Sequence, residues 1–255
     1  MTLQQPHFQG PLASLDVTHV LYDDSSFTSF VLALITLSPI LLMPAYAALA
    51  YQTREYIIIV MWIGQFFGEG LNLVIKRIVK EERPNLNIGD GYGFPSSHSQ
   101  YMAYFTTFLY LHLFFSHRFT STGSPLLDRL WRTTVYGVLA MWMGVVAYSR
   151  YALGYHTPLQ IFWGLAIGCA LAVVVYTLTQ LVPSRYPNSV LGKTKRFILT
   201  NPLCTWLRIR DGWEVWGDAG VEDAWWRWRA QWEKKMREKG VDVGSVAGKV
   251  DGKEE

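Results

Sequence analysis

Apolar residues run along this chain in long blocks separated by short polar breaks. Five blocks approach the thickness of a bilayer with almost no charge: Phe27 to Tyr51, Tyr56 to Ile75, Ser99 to Phe115, about Thr133 to Tyr148, and Pro158 to Val182. Runs of that length and polarity predict membrane-crossing helices. The expected fold is therefore all-α, a polytopic transmembrane helix bundle of about five spans. The third and fourth blocks are short for a span, so their polar flanks should add a turn to each. Ahead of the first block, Leu12 to Tyr22 is too short and mixed to cross but suits the interface, which leaves room for a sixth, short N-terminal helix. The first 26 residues carry no Lys or Arg and no apolar core beside a small-residue cleavage site, so they do not resemble a secretory signal, and the first span is expected to stay as an anchor.

After Pro183 the pattern changes. Most of the chain's 11 tryptophans fall here, and "WLRIRDGWEVW" places an Asp211-Gly212 turn between apolar-rich arms, which predicts a short hairpin. Val221, Trp225, Trp228, Trp232 and Met236 then recur at helical spacing opposite Arg227, Lys234 and Lys235. Such a face suits a helix lying on a membrane leaflet, or one packed on the bundle or a partner. The chain thus divides into a segment 1–26, a transmembrane domain 27–182, an amphipathic tail 183–240 and a polar end 241–255 of disordered composition.

Composition adds little to this division: 50% of residues are hydrophobic, 17% are charged, and the formal charge is +3. The placement of charge is more informative. Five spans put the N-terminus and the loops 76–98 and 149–157 on one side, with Lys76, Arg77, Lys80, Arg83 and Arg150. The other side holds Arg54, Arg118, Arg129, Arg132 and the basic residues of the tail, so the excess of positive charge predicts that the tail is cytoplasmic and the loops face a lumen or the exterior. Cys169 and Cys204 lie too far apart in this topology to pair, and no metal-ligand spacing is present. Nothing suggests a nucleic-acid partner.

The loop side carries the chemistry. If the second span continues as a helix to Arg83, Lys76, Lys80 and Arg83 fall at i, i+4 and i+7 in one cationic stripe. Such a stripe fits a multiply charged oxyanion, or basic side chains snorkelling to lipid headgroups. In "GYGFPSSHSQ", Pro95 and Ser96 precede a helix start at which Ser97 and Gln100 fit a capping box, so unpaired N–H groups there could hold an anion beside His98. An ordinary capped helix with an incidental histidine has the same pattern. In "YSRYALGYHTPLQ", Arg150 suits a bidentate oxyanion contact, and His156 precedes Thr157 and Pro158, a cap followed by proline at the first helical position. Two histidines, several cations and two helix starts on one face are the parts a phosphoryl-transfer site needs. Inside the membrane, Glu69 shares a face of the second span with Asn72 and Lys76. It is a candidate for positioning Lys76, orienting a catalytic group or lining a cleft, or else a buried structural partner.

Taken together, K-x6-R-P (Lys76, Arg83, Pro84), P-S-S-H (Pro95 to His98) and S-R-x5-H (Ser149, Arg150, His156) resemble the three-part signature of the type-2 phosphatidic acid phosphatase superfamily, which includes vanadium haloperoxidases. The resemblance spans roughly residues 56–182, and "GLNLVIKRIVKEERP", "FPSSHSQ" and "YHTPLQ" look most like its dolichyl pyrophosphate phosphatase branch. It implies that His156 is the nucleophile and His98 the general acid and base. Lys76, Arg83, Ser96, Ser97 and Arg150 would hold phosphate, with no metal or other cofactor. Two positions depart from the superfamily pattern. Ser97 stands where glycine is usual, as in the dolichyl branch, and Gln160 stands where most members have an aspartate that orients the nucleophile. Gln160 either accepts a hydrogen bond from His156 without offering countercharge, or only completes a capping box with Thr157.

The resemblance implies an enzyme of the endoplasmic reticulum membrane with its site toward the lumen. It would convert dolichyl diphosphate to dolichyl phosphate, recycling the carrier lipid of protein glycosylation. Two alternatives keep the same residues: a broad lipid phosphatase for phosphatidate or sphingoid phosphates, and a non-catalytic membrane protein that binds anionic headgroups.

Overall fold

In the computed structural model, residues 12–15, 20–85 and 91–239 are described. The predicted disordered end 241–255 lies outside them. Five helical rods make up the bundle. The first is broken into α1 (Phe27–Thr36) and α2 (Ser38–Thr53), and α3 (Tyr56–Val79), α4 (Ser97–Phe115) and α5 (Pro125–Ala152) follow. The fifth runs from α6 (Pro158–Tyr176) through one π-helical turn, Thr177–Leu181, into α7 (Val182–Arg185). Four of these rods, all but α4, are long and apolar enough to cross a membrane. The chain is accordingly a multi-pass membrane protein in which α4, richer in Ser, Thr, Gln and Tyr, is enclosed by its neighbours. Buried Tyr101, Met102, Tyr104, Phe105 and Phe108 make α4 the centre of the core, while Ile63, Phe66, Leu73 and Ile78 of α3 are exposed as lipid-facing residues would be.

Prolines set two irregularities in these rods. Pro39 has no N–H to continue α1, and the freed carbonyl of Ile35 accepts the Ser38 hydroxyl at 2.6 Å instead. Pro183 follows the π-helical turn, whose wider ladder accommodates a residue that cannot donate. Close approach of α4 and α6 depends on Gly164 and Gly168. A Cβ on Gly164 would lie 2.6 Å from the Ser96 carbonyl oxygen, and one on Gly168 would strike that of Gln100. This pair brings the start of α4 against the start of α6.

Two expectations fail at the ends of the chain. Among the described residues of the N-terminal segment, β1 (Leu12–Leu15) and β2 (Val20–Asp23) form a two-stranded antiparallel sheet in register Leu12↔Asp23, where a short sixth helix is the expectation. Its Val20 packs with Ala33, Leu153 and Tyr155, so the strand is held by tertiary contact. In the tail, "WLRIRDGWEVW" is no hairpin. After α8 (Val190–Thr200), α9 (Pro202–Trp206) and α10 (Gly212–Val215) are single helical turns, because the intervening backbone pairs elsewhere. Arg210 N–H donates to the Arg54 carbonyl at 2.9 Å, and Tyr56 N–H to the Arg210 carbonyl at 2.8 Å. The tail is thereby fastened to the turn between α2 and α3, and it ends in the expected tryptophan-bearing helix, α11 (Val221–Glu238), with Trp225 and Trp228 exposed.

Candidate active site

The end of the bundle opposite the tail gathers all three motifs. The turn after α5 folds back on itself: the carbonyl of Arg150 accepts N–H groups from Tyr155 at 3.1 Å and His156 at 3.2 Å. This turn fixes the spacing of Arg150 and His156 and buries both. The guanidinium of Arg150 stacks on Tyr155, 3.9 Å from the ring centroid, and Tyr155 is held by its hydroxyl, which accepts the Leu21 N–H at 2.8 Å. Among the described residues the Nε and Nη1 of Arg150 have no hydrogen-bond partner. A buried cation with open donors is costly unless an anion completes it.

α6 begins as its sequence predicts, with Thr157 as cap, Pro158 in the first turn and a capping box closed by Gln160. Gln160 also reaches His156, with Oε1 3.2 Å from Nδ1. Gln160 therefore contacts the histidine and caps the helix at once, so the reading in which it only caps does not hold. Its Nε2 donates to Glu81 Oε1 at 2.8 Å and to the Glu82 carbonyl at 3.0 Å.

The cationic stripe does not form. α3 ends at Val79, and Lys80 takes a left-handed conformation with φ of 54° while donating to the Lys76 carbonyl. Lys80 is exposed, whereas Lys76 in the last helical turn and Arg83 on the following non-helical segment both lie near the histidines. Arg83 Nε donates to the Gly91 carbonyl at 3.2 Å, and its guanidinium carbon lies 6.0 Å from the Tyr155 ring centroid. Helix spacing thus misassigned Lys80 and its geometry, although Lys76 and Arg83 meet by another path.

At the start of α4 the cap is Ser96, one residue earlier than expected, and it makes no side-chain capping bond. The predicted Ser97–Gln100 box is absent because Gln100 is recruited by α3: Asn72 Nδ2 donates to its Oε1 at 2.8 Å, and its Nε2 donates to the Gly68 carbonyl at 2.7 Å. Ser96 is buried, and its N–H donates to the Gln160 carbonyl at 3.1 Å, tying the P-S-S-H segment to α6. Ser97 and His98 are half-buried and line a cleft of 270 Å³ with Glu69, Tyr101, Pro39 and Met43. Pro39 and Met43 bring the broken first rod to this cleft, and Glu69 belongs to its wall.

Electrostatics keep His156 neutral. Burial, then the charges of Arg150, Arg83 and Lys76, push its pKa down to about 3. The same three cations and His156 act on His98, so the two imidazoles share one field. Among the described residues no cluster of His, Cys, Asp and Glu could hold a metal ion. Sequence reasoning missed Tyr155, which supports Arg150, and Glu81, which holds Gln160. The helix break at Lys80 concealed Glu81, since a continuous helix would have turned it to another face.

The pattern of the PAP2 superfamily matches residues 56–183. Dolichyldiphosphatase 1 of Mus musculus is 34% identical over 188 residues, covering 72% of this chain and 79% of that protein. Dolichyldiphosphatase of Saccharomyces cerevisiae is 32% identical over 175 residues, covering 66% of this chain and 70% of that one. Among solved structures, the PAP2-type phosphatidylglycerolphosphate phosphatase of Bacillus subtilis matches with 22% identity and a TM-score of 0.47, over 57% of this chain and 73% of that one.

Proposed function

The chain belongs to the PAP2 superfamily, and from that premise we propose that it is a membrane phosphatase acting on dolichyl diphosphate or a closely related polyprenyl diphosphate. The observation that carries the reading is the open, buried guanidinium of Arg150 beside neutral His156. A desolvated cation without a protein acceptor suits a phosphate oxygen, and a histidine held neutral has a lone pair to give that phosphorus.

The tautomer follows from the hydrogen bonds. Gln160 Oε1 accepts the Thr157 N–H at 3.2 Å and can only accept from His156, so Nδ1 carries the proton and Nε2 is the nucleophilic atom. In the first step Nε2 bonds to the terminal phosphorus while the bond from phosphorus to the bridging oxygen breaks. With the negative charge of the diphosphate beside it His98 carries a proton, which it delivers to that oxygen, and the lipid phosphate departs. In the second, His98 takes a proton from water, the hydroxyl adds to phosphorus, and the N–P bond breaks to release phosphate and restore His156. Arg150, Arg83 and Lys76, with the N–H groups at the start of α4 around Ser96 and Ser97, take the charge on the phosphoryl oxygens. On this reading no metal ion takes part.

The cleft supports the same assignment of roles. His98 lies on its wall, and Pro39, Ile40 and Met43 give it an apolar side toward the broken rod. A prenyl chain lying there would place its phosphate, the leaving group, next to the acid. Glu69 on the same wall balances Lys76 rather than meeting the diphosphate. The basic tail end is cytoplasmic and the site lumenal by the distribution of Lys and Arg, which accords with an endoplasmic reticulum enzyme that returns carrier lipid to glycosylation. α8 and α11, with exposed Phe197, Trp225 and Trp228, then lie against the cytoplasmic leaflet.

Phosphate release by purified protein in detergent with EDTA tests the proposal on dolichyl diphosphate, dolichyl phosphate and phosphatidate, beside His156→Ala. Preference for the diphosphate, lost in the variant, is expected. Equal turnover of all three would replace it with a broad lipid phosphatase. Activity that needs added metal, or survives His156→Ala, would remove the mechanism.

A further inference from the structure

Gln160 supplies no charge where a phosphorylated histidine would need one, yet its amide is saturated. Oε1 meets His156 Nδ1 and Thr157 N–H, and Nε2 donates to the Glu81 carboxylate and the Glu82 carbonyl. Turning the amide over would set its NH2 against an N–H and its oxygen against a carboxylate, so one orientation is fixed. Glu81 arrives because Lys80 ends α3 in a left-handed turn, and because the Glu81 carbonyl accepts the Gly93 N–H at 2.7 Å. Gly93 closes the other side of the amide: a Cβ there would stand 2.7 Å from Gln160 Nε2 and 2.9 Å from Oε1.

We propose that Glu81 is a positioning residue whose carboxylate, acting through Gln160, provides the countercharge for His156. This rests on the reading of His156 as nucleophile. When Nε2 bonds to phosphorus the ring keeps its Nδ1 proton and gains a positive charge. The Glu81 carboxylate draws density toward Gln160 Oε1 through the Nε2–H bond, strengthening the bond that Oε1 accepts from Nδ1. No proton travels along the chain, because an amide cannot relay one without changing tautomer. The pair Gln160 and Glu81 thus divides what a single carboxylate does elsewhere: the amide orients, and the acid one bond further supplies the charge.

A charge exchange tests this. Glu81→Gln keeps the size and an acceptor for Gln160 Nε2 but removes the charge, and is expected to lower kcat by about 10- to 100-fold with little change in KM. Gln160→Asp alone sets two carboxylates against each other and is also expected to be impaired. The double variant, Glu81→Gln with Gln160→Asp, returns the order of donor and acceptor with the charge moved next to His156, and is expected to recover most of the lost kcat. Full activity of Glu81→Gln while His156→Ala is dead would overturn the countercharge role and leave the nucleophile assignment standing. Loss in Glu81→Gln with no recovery in the double variant would reduce Glu81 to a structural contact. Activity in His156→Ala would instead defeat the parent reading.

Discussion

The two ends of the bundle both bury charge, but they treat it differently. At the tail end the buried charges of Glu55 and Lys195 are answered. Glu55 is buried between Arg210, whose Nε lies 2.8 Å from its Oε1, and the Gly212 N–H at 2.8 Å. Lys195 bridges Asp211 at 2.5 Å and Glu214 at 3.2 Å. At the motif end Arg150 is buried and keeps donors without partners among the described residues. Paired charges fasten the tail to the membrane domain, while a buried guanidinium left open costs stability until an anion enters. The difference separates a structural use of buried charge from a functional one.

The sharpest break in the comparison comes from the motif end. His156→Ala should lower diphosphate turnover by at least ~10⁴-fold, since it removes the nucleophile itself. Arg150→Met should follow at about 10³-fold, the scale of losing an oxyanion donor in a dry site. Its stability should move the opposite way: the thermal midpoint in detergent is expected to hold or rise, because an unanswered buried cation is removed. A midpoint that falls would mean Arg150 is structural.

Lys195→Met provides the mirror experiment. It leaves Asp211 buried without its partner and should cost about 3 kcal/mol of stability, with turnover per folded molecule close to that of the parent. If turnover fell as far as in Arg150→Met, the two ends would be coupled and the division of labour would be wrong.

How much of this was legible in the sequence depended on the range of the forces involved. The apolar blocks marked the rods because lipid-facing residues need no particular partner, so Tyr56 to Ile75 sufficed to find α3. The cap at Thr157 and Pro158 was equally local. The end of α3 was not. Nothing in "KRIVKEERP" announces a left-handed Lys80, since the turn is held by Glu81 meeting Gly93 and Gln160, residues distant in the chain. Likewise the capping box at Ser97 was a fair local reading that lost to Asn72 and Gly68, which claim Gln100 from another helix. The pairing of β1 with β2 depends on Tyr155 and Leu153, and the turns near Arg210 on the backbone of Arg54 and Tyr56.

The smallest predicted effect reads the field at the motif end directly. His156 titrates near 3 in the folded protein, below the ordinary 6.5, because burial and three cations disfavour its charged form. The unfolded chain therefore binds a proton that the folded one refuses between those values. The stability this group contributes is complete above about 6.5 and is lost as pH falls toward 3, at roughly 1.4 kcal/mol per pH unit in the middle of that window. Thermal midpoints from pH 6.5 to 5.5 should accordingly fall further for the parent than for His156→Asn, by about 1 kcal/mol in equivalent terms. Sulfate, whose own charge is constant over this range, should shrink the difference, since an anion between Arg150, Arg83 and Lys76 offsets the cations that depress His156. Equal slopes for parent and variant would mean that His156 does not sit in that field, and the contrast between the two ends would lose its chemical meaning.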